Sequence, residues 1–283
     1  METSRTPALK PSHVALAVVA LLVAALLPVM NQGAASAGHD PGLPCNFAPG
    51  ADCDKTDLTE VTLNGVDLRG ISLKGALLYR CSLTDVDLRG ADLRGVEIFQ
   101  CPMTRVKLDG ANLKGAHFIR SDFKQVSAKS ANFNKSEVYQ SVLADSSLKG
   151  SSFRKALVKQ ATLREVDMRD TDLRKMYTLQ VDLFNTNLSK SNMNKSAYEQ
   201  STMKRGVKLR KASLLEVTFI ESNLKKVDLL GAELDGAFFW RVDTTGSEIS
   251  DAELGDAQCT SVVLPDGSEI SGKTFRGPCT PTP

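Results

Sequence analysis

A large apolar residue recurs every five positions along most of this sequence. The series runs from Leu58 to Met203 and, after one inserted residue near Gly206, from Leu209 to Leu254. The centres that are not large and apolar are Ala128, Thr178 and Thr244. Neither the 3.6-residue period of a helix nor the two-residue period of a strand generates a period of five. Internal repetition therefore decides the fold.

The residues around each centre follow the same five-residue rule. The position two before the centre is small or β-branched, as in Val61, Ala76 and Ser136, so each repeat has two inward positions. Asp or Asn often precedes the centre, and Lys or Arg often follows it. The second position after the centre is often glycine, as at Gly70, because a tight corner needs backbone freedom. Together these preferences spell A(D/N)LxG.

This signature resembles that of the pentapeptide-repeat family, whose chains coil into a right-handed, four-sided β-helix with four repeats per turn. The resemblance covers residues 56–259. It implies an all-β fold, a right-handed quadrilateral parallel β-helix of about ten coils, stacked about 4.8 Å apart. Residues 38–55 and 260–283 are expected to cap the two ends. Pro265, Asp266 and Gly267 lie between two apolar segments and predict the turn of a terminal hairpin.

The N-terminus has the pattern of a secretory signal. Arg5 and Lys10 precede an apolar run from Val14 to Leu27, and small residues ending at Ala37 match a signal peptidase site. We predict a signal peptide over residues 1–37, cleaved after Ala37, and therefore export to the periplasm or the cell exterior. An uncleaved membrane anchor is the alternative, but the run is shorter than the ~20 residues that span a bilayer.

Export would allow the six cysteines to form disulfides. Two pairs are predicted to staple the two ends of the rod: Cys45 with Cys53 and Cys259 with Cys279. Cys81 and Cys101 occupy small inward positions one coil apart on one side of the rod. Because their side chains should point in parallel directions, we expect two packed thiols in preference to a disulfide.

Four repeats per coil place residues twenty apart on one side, so the sequence divides into four sides, named here after their first centres Leu58, Leu63, Leu68 and Leu73. On the Leu58 side, the residue after the centre is mostly aromatic or large and aliphatic. We call this set the apolar stripe: Tyr79, Phe99, Ile119, Tyr139, Leu179, Ile220 and Trp240. The adjoining corner carries Gln100, Gln140, Gln160, Gln180 and Gln200, interrupted by Arg80 and Arg120. Glutamines stacked in this way can bond to one another or to a ligand.

A long apolar stripe on a solvent-facing side is typical of a binding surface. The expected partner is a second copy in an isologous homodimer or another envelope protein. A glycan is the second candidate, because aromatic platforms suit sugar rings. Two other interpretations stay open: the chain's own ends cover the stripe, or the stripe has no role.

Charge and motifs weigh against other classes of function. The net charge of +2 favours neither nucleic-acid binding nor the acidic DNA mimicry by which some members of the family protect gyrase. No side has the flat threonine ladder of an ice-binding protein. The three histidines form no group with metal-ligand spacing, and no nucleophile elbow or phosphate loop is present. We therefore expect no enzyme activity, no metal, no cofactor, and membrane contact only through an uncleaved signal.

Overall fold

The computed structural model describes residues 45–270. The predicted signal peptide, its cleavage site after Ala37, and Cys279 lie outside the described residues. Within residues 45–270, no helix is long and apolar enough to cross a membrane.

The described chain forms a parallel β-solenoid of about ten coils, which confirms the predicted fold class. Strands of the Leu58 side form a ten-stranded parallel sheet: β2 (Leu77–Tyr79), β4 (Glu97–Phe99), β6 (His117–Ile119), β8 (Glu137–Tyr139), β10 (Leu157–Lys159), β12 (Tyr177–Leu179), β14 (Ala197–Glu199), β16 (Thr218–Ile220), β17 (Phe238–Trp240) and β18 (Gln258–Thr260). The Leu63 side forms an eight-stranded parallel sheet: β1 (Thr62–Asn64), β3 (Ser82–Thr84), β5 (Met103–Thr104), β7 (Phe123–Lys124), β9 (Val142–Ala144), β11 (Thr162–Arg164), β13 (Asp182–Phe184) and β15 (Thr202–Lys204).

The Leu68 and Leu73 sides pair between coils through single bridges, such as Asp67 with Asp87 and Ser72 with Asp92. Nearly every repeat buries its centre and the residue two before it. One continuous core therefore runs along the rod, mostly apolar, with buried serines and threonines at some of the inward positions. The pairing register is twenty residues before the insertion and becomes twenty-one across it, as for Ala197 with Thr218. The predicted bulge lies at Gly206, where φ is +77°, and the coil then resumes.

The corners explain the glycine preference. The second residue after almost every centre has positive φ, whether it is a glycine such as Gly70 (φ 68°) or not, as in Gln140 (φ 49°). L-residues rarely adopt this conformation unless the surrounding structure imposes it. Here the inter-coil ladder imposes it, because the corner N–H bonds across coils, as from Gln140 N to Lys159 O at 3.1 Å.

The core is less completely filled in its middle coils. An apolar cavity of about 80 Å³ lies there, and its lining includes the small centre Ala128 and the polar centre Thr178. The Thr178 hydroxyl lies 3.3 Å from Ser201 Oγ. Two of the three exceptions to the apolar period therefore coincide with the looser part of the core.

The cysteines correct one prediction. Cys81 and Cys101 form a disulfide, so the expectation of packed thiols was wrong. One-coil stacking brings their Cα atoms to 4.6 Å, which lies within the range that a disulfide spans. Cys45 and Cys53 are also joined, with Cα atoms 5.5 Å apart. Cys259 is buried in the last coil, and its predicted partner Cys279 lies outside the described residues.

The ends of the described rod differ from each other. Cys53 is buried at a centre position of the Leu73 side, so the first coil begins one repeat earlier than residue 56. The repeat was not predicted from the sequence because its centre, Cys53, is smaller than the large apolar residues at most other centres. At the other end, β19 (Val262–Val263) and β20 (Glu269–Ile270) form the predicted antiparallel hairpin around Asp266 and Gly267.

Candidate functional site

The apolar stripe is continuous along the ten-stranded sheet of the Leu58 side. Strand register places Tyr79 beside Phe99, Phe99 beside Ile119, and Ile119 beside Tyr139. It also places Ile220 beside Trp240, although a 21-residue step separates Glu199 from Ile220. The structure therefore brings the predicted stripe residues into one file on one side of the rod.

Two features reduce the apolar area that the stripe offers to solvent. Its residues are half-buried, because each packs against the neighbours one coil above and below. The stripe is also interrupted by Lys159 and Glu199, which occupy the same file. Among the described residues, the large apolar side chain with notable exposure is Val142, at 40%, on the neighbouring Leu63 side.

Arginines cover the two aromatic ends of the stripe. The Arg80 guanidinium lies 5.1 Å from the centre of the Tyr79 ring, and that of Arg241 lies 4.6 Å from the centre of the Trp240 ring. Such cation–π contacts hold the arginine stems along the surface, over part of each ring.

The residues before the centres extend the stripe with mixed chemistry. The Tyr177 hydroxyl donates a hydrogen bond of 2.6 Å to Glu199, and burial together with this bond raises the pKa of Tyr177 to about 12. His117 Nδ1 lies 3.4 Å from Glu137 Oε2. The middle of the Leu58 side therefore combines apolar rings with polar groups that already have partners.

The glutamine corner forms a directed hydrogen-bond chain along the rod. Gln140 Nε2 donates to Gln160, Gln160 to Gln180, and Gln180 to Gln200, at 3.1, 3.1 and 3.3 Å. Arg120 Nε begins the chain by donating to Gln140 at 3.0 Å. A cation at the donor end polarises such a series in one direction, which strengthens each bond.

The far end of this amide chain was missed in the sequence. Gln200 Nε2 donates to Glu221 Oε2 at 3.2 Å, and Glu221 accepts a second bond from Arg241 at 3.0 Å. These two residues lie 21 and 41 positions after Gln200, so a count of twenty that ignores the insertion overlooks them. Gln100, by contrast, makes no side-chain hydrogen bond among the described residues, and Arg120 continues the ladder that it was predicted to interrupt.

The Leu68 side pairs its charges at short range. Arg69 and Arg89 each bond the aspartate two positions before them, at 2.7 Å in Arg69–Asp67 and 2.6 Å in Arg89–Asp87. Hydrogen bonds from these guanidinium groups lower the pKa of both carboxyl groups below their usual range. Within residues 45–270, no group of three His, Cys, Asp or Glu side chains could hold a metal ion.

Comparisons with known proteins agree with this architecture. The family model described as "Pentapeptide repeats" matches eight copies, over residues 48–75, 56–95, 107–143, 141–175 and 205–241. No curated protein sequence matches the chain. Solved structures with the same kind of fold include HetL, a pentapeptide repeat protein from the cyanobacterium Nostoc sp. strain PCC 7120, at 22% identity over 76% of this chain and 92% of that one, with a TM-score of 0.34.

A second solved structure is full-length QnrB1, a plasmid-mediated fluoroquinolone resistance protein, at 16% identity over 72% of this chain and 93% of that one, with a TM-score of 0.28. At these values neither structure supports an argument about partners or activity. The segments that match the family model, however, together span more than half of the sequence. The chain therefore belongs to the pentapeptide-repeat family.

Proposed function

We propose that this protein is an exported, non-catalytic interaction scaffold, and that the Leu58 side binds its partner. The observation that carries the proposal is the apolar stripe, a file of large side chains at positions where the other sides carry mainly polar or charged residues. A rigid parallel sheet holds these side chains, so binding costs little conformational entropy. The simplest partner is a second copy that packs its own stripe against this one.

Export is part of the proposal and is supported by the N-terminal pattern and by the disulfides. A charged start, an apolar run and small residues ending at Ala37 fit a secretory signal. The Cys45–Cys53 and Cys81–Cys101 disulfides fit an oxidising compartment. The non-catalytic role is supported by the short-range pairing of Asp and Arg, because a catalytic carboxylate needs to face substrate.

The test is the molecular mass of the mature chain at high ionic strength. In about 0.5 M salt, charge contacts are screened and apolar contacts persist. We expect a dimer for the wild type and a folded monomer for the Ile119→Lys, Tyr139→Lys double variant. The matched control is Thr84→Lys, Thr104→Lys, a pair at equivalent strand positions on the Leu63 side. It should remain dimeric.

A wild type that stays monomeric in 0.5 M salt at all accessible concentrations would rule out the homodimer. So would a stripe variant that keeps the dimer mass. Circular dichroism on each variant keeps loss of association separate from loss of folding.

A glycan is the second candidate ligand of the same side. It is favoured by the exposed residues Gln140, Gln160 and Gln180, whose column adjoins the stripe that contains Tyr139. If the wild type is monomeric, titration with soluble oligosaccharides decides this alternative. Binding that disappears in Tyr139→Ala, but not in Thr84→Ala, would support the glycan.

A further inference from the structure

The Leu73 side carries two zones of opposite charge. Between residues 131 and 195 its outward positions hold six bases and one acid, Asp172. The bases are Lys135, Arg154, Lys155, Arg174, Lys175 and Lys195. Between residues 213 and 256 its outward positions hold five acids and no base. The acids are Glu216, Glu233, Asp235, Glu253 and Asp256.

Few of these charges are neutralised within the chain. Arg154 and Arg174 share Asp172, at 3.8 and 2.6 Å, and Lys195 reaches Glu216 across the boundary between the zones at 3.2 Å. None of the other charged side chains of the two zones has an ion pair within the described residues. The first coils of the same side are different, because Lys74 pairs with Asp54 and Arg94 with Asp92.

Lys135, Lys155, Lys175 and Lys195 form a column at one corner of this side. Each has positive φ, between 58° and 61°, and each stacks one coil above the last. Like charges on corners that repeat about every 4.8 Å repel one another, and glycine would suit the corner conformation better. A column of this kind is unfavourable for the isolated rod, and a partner surface of opposite charge would offset the repulsion.

We propose that the Leu73 side is the interface at which two copies of this chain pair antiparallel. The basic zone includes three coils centred on Phe153, Leu173 and Met193, and the acidic zone covers the next three, centred on Leu214, Leu234 and Leu254. A two-fold axis between Met193 and Leu214 superimposes one set of three on the other. Each copy then places its bases against the acids of its neighbour, which is the isologous arrangement of a closed dimer.

Facing positions can be assigned coil by coil, and three of them pair opposite charges, whereas Asp172, which is already paired with Arg174, faces Glu233 of the second copy. A two-fold axis in the interface plane keeps equivalent corner positions opposite each other. Lys195 then faces Glu216 of the second copy, and Lys155 faces Asp256 of the second copy. Arg174 faces Asp235 of the second copy one position away from the corner. Each of the three contacts occurs twice in the dimer.

Two other kinds of partner would neutralise fewer of the charges on the Leu73 side. A parallel pair would place like charges together. A linear polyanion would neutralise the basic zone, but the acidic zone on the same side would repel its continuation. Only a second copy in antiparallel orientation gives both zones a counterpart.

This pairing is separate from the stripe interface, and it has a geometric consequence for it. The Leu58 side adjoins the lysine corner, and the two-fold axis leaves both Leu58 sides on the same face of the pair. Two apolar stripes then run side by side. The combined surface is twice as wide as that of one rod.

The test uses sedimentation velocity on the mature chain, because charge pairing responds to salt in the opposite way from apolar pairing. Raising the salt from about 50 to about 500 mM should weaken this association by about tenfold or more. Lys155→Glu, Arg174→Glu should abolish the salt-sensitive association. Lys124→Glu, Arg164→Glu, the same charge change on the Leu63 side, should leave it intact. The Ile119→Lys, Tyr139→Lys variant should retain it.

The most stringent test mixes two variants whose charges are reversed in opposite directions. Asp235→Lys, Asp256→Lys should also fail to pair with itself, whereas its mixture with Lys155→Glu, Arg174→Glu should form a one-to-one heterodimer. Repulsion that affects each variant alone becomes attraction in the mixture. Failure of the mixture to associate would overturn the proposal. So would a wild type that is monomeric at low salt yet binds dextran sulfate through Lys155 and Arg174.

Discussion

At the scale of single residues, the five-residue period assigns almost every side chain to the core or to the surface. Three core residues, Ser136, Ser191 and Tyr198, bury a side-chain oxygen that makes no hydrogen bond among the described residues, and Tyr198 is the largest of them. Tyr198 is fully buried, its ring stacks on Phe219 with centroids 5.3 Å apart, and its hydroxyl makes no hydrogen bond among the described residues. A buried hydroxyl without a partner loses its hydrogen bonds to water and gains none in the protein, which destabilises the fold.

Replacing Tyr198 with phenylalanine should therefore stabilise the rod. We expect Tyr198→Phe to raise the free energy of unfolding by about 1 kcal/mol, measured by urea denaturation. Tyr177→Phe is the matched control, because the Tyr177 hydroxyl has a partner in Glu199, and it should lower stability or leave it unchanged. A Tyr198→Phe variant less stable than the wild type would show that the hydroxyl is satisfied in solution.

At the scale of elements, the Cys81–Cys101 disulfide joins two successive coils on one side of the rod. It closes a segment with a sequence separation of 20. Serine is the natural substitute at these positions, since Ser121 and Ser141 continue the same inward column. There Ser121 Oγ accepts a hydrogen bond of 3.2 Å from Cys101 N. A Cys81→Ser, Cys101→Ser variant therefore removes the cross-link with little change in packing.

Loss of this cross-link should lower the free energy of unfolding by about 3 kcal/mol, from the entropy that it removes from the unfolded chain. Urea denaturation without reductant measures the effect. Cys45→Ser, Cys53→Ser is the comparison, and its effect should be smaller because that segment has a sequence separation of only 8. Equal stability of the wild type and Cys81→Ser, Cys101→Ser would mean that the thiols are unlinked in solution.

The sequence predicted the elements better than their contacts. The five-residue period and the positive-φ corner recur in nearly every repeat, so small local exceptions such as Ala128 do not obscure the fold. Pairing of Cys81 with Cys101 depends instead on side-chain orientation within a single coil, which the period does not encode. The exposure of the stripe was likewise overestimated, because each residue shields its neighbour one coil away and a count of residue types ignores this shielding.

At the scale of the whole molecule, the small net charge gives no indication of the two oppositely charged zones on the Leu73 side. Bases and acids nearly cancel over the chain, at 35 and 33, and the first coils of that side are locally paired. The two zones are visible only when charges are counted separately for each side and each coil. Lys155 and Lys175 then fall in the basic zone, and Glu233 and Asp256 fall in the acidic zone. The insertion at Gly206 must be counted as well, since it moves all later residues by one position.

Local ion pairs also make the stability of the whole rod depend on pH. Hydrogen bonds from Lys74 and then Ser72 lower the pKa of Asp54 to about 2, and a guanidinium hydrogen bond lowers the pKa of Asp92. The pKa of an aspartate in the unfolded chain is about 3.9. A carboxyl group with a lower pKa in the folded state stabilises the fold above that value, and this contribution is lost as the pH falls through the folded pKa.

We therefore expect the Tm to change little from neutral pH down to about pH 5 and to fall steeply between about pH 4 and pH 2. Asp54→Asn should have a lower Tm than the wild type at pH 7, and the two curves should converge near pH 2, where Asp54 is itself becoming protonated. Asp145→Asn is the control for the loss of one charge, because Asp145 has no ion pair among the described residues, and its Tm should stay close to that of the wild type at both pH values. Thermal denaturation followed by circular dichroism at a series of pH values checks both expectations. A gap between Asp54→Asn and the wild type that widened toward pH 2 would show that the contact of Asp54 with Lys74 does not stabilise the first coil through its charge.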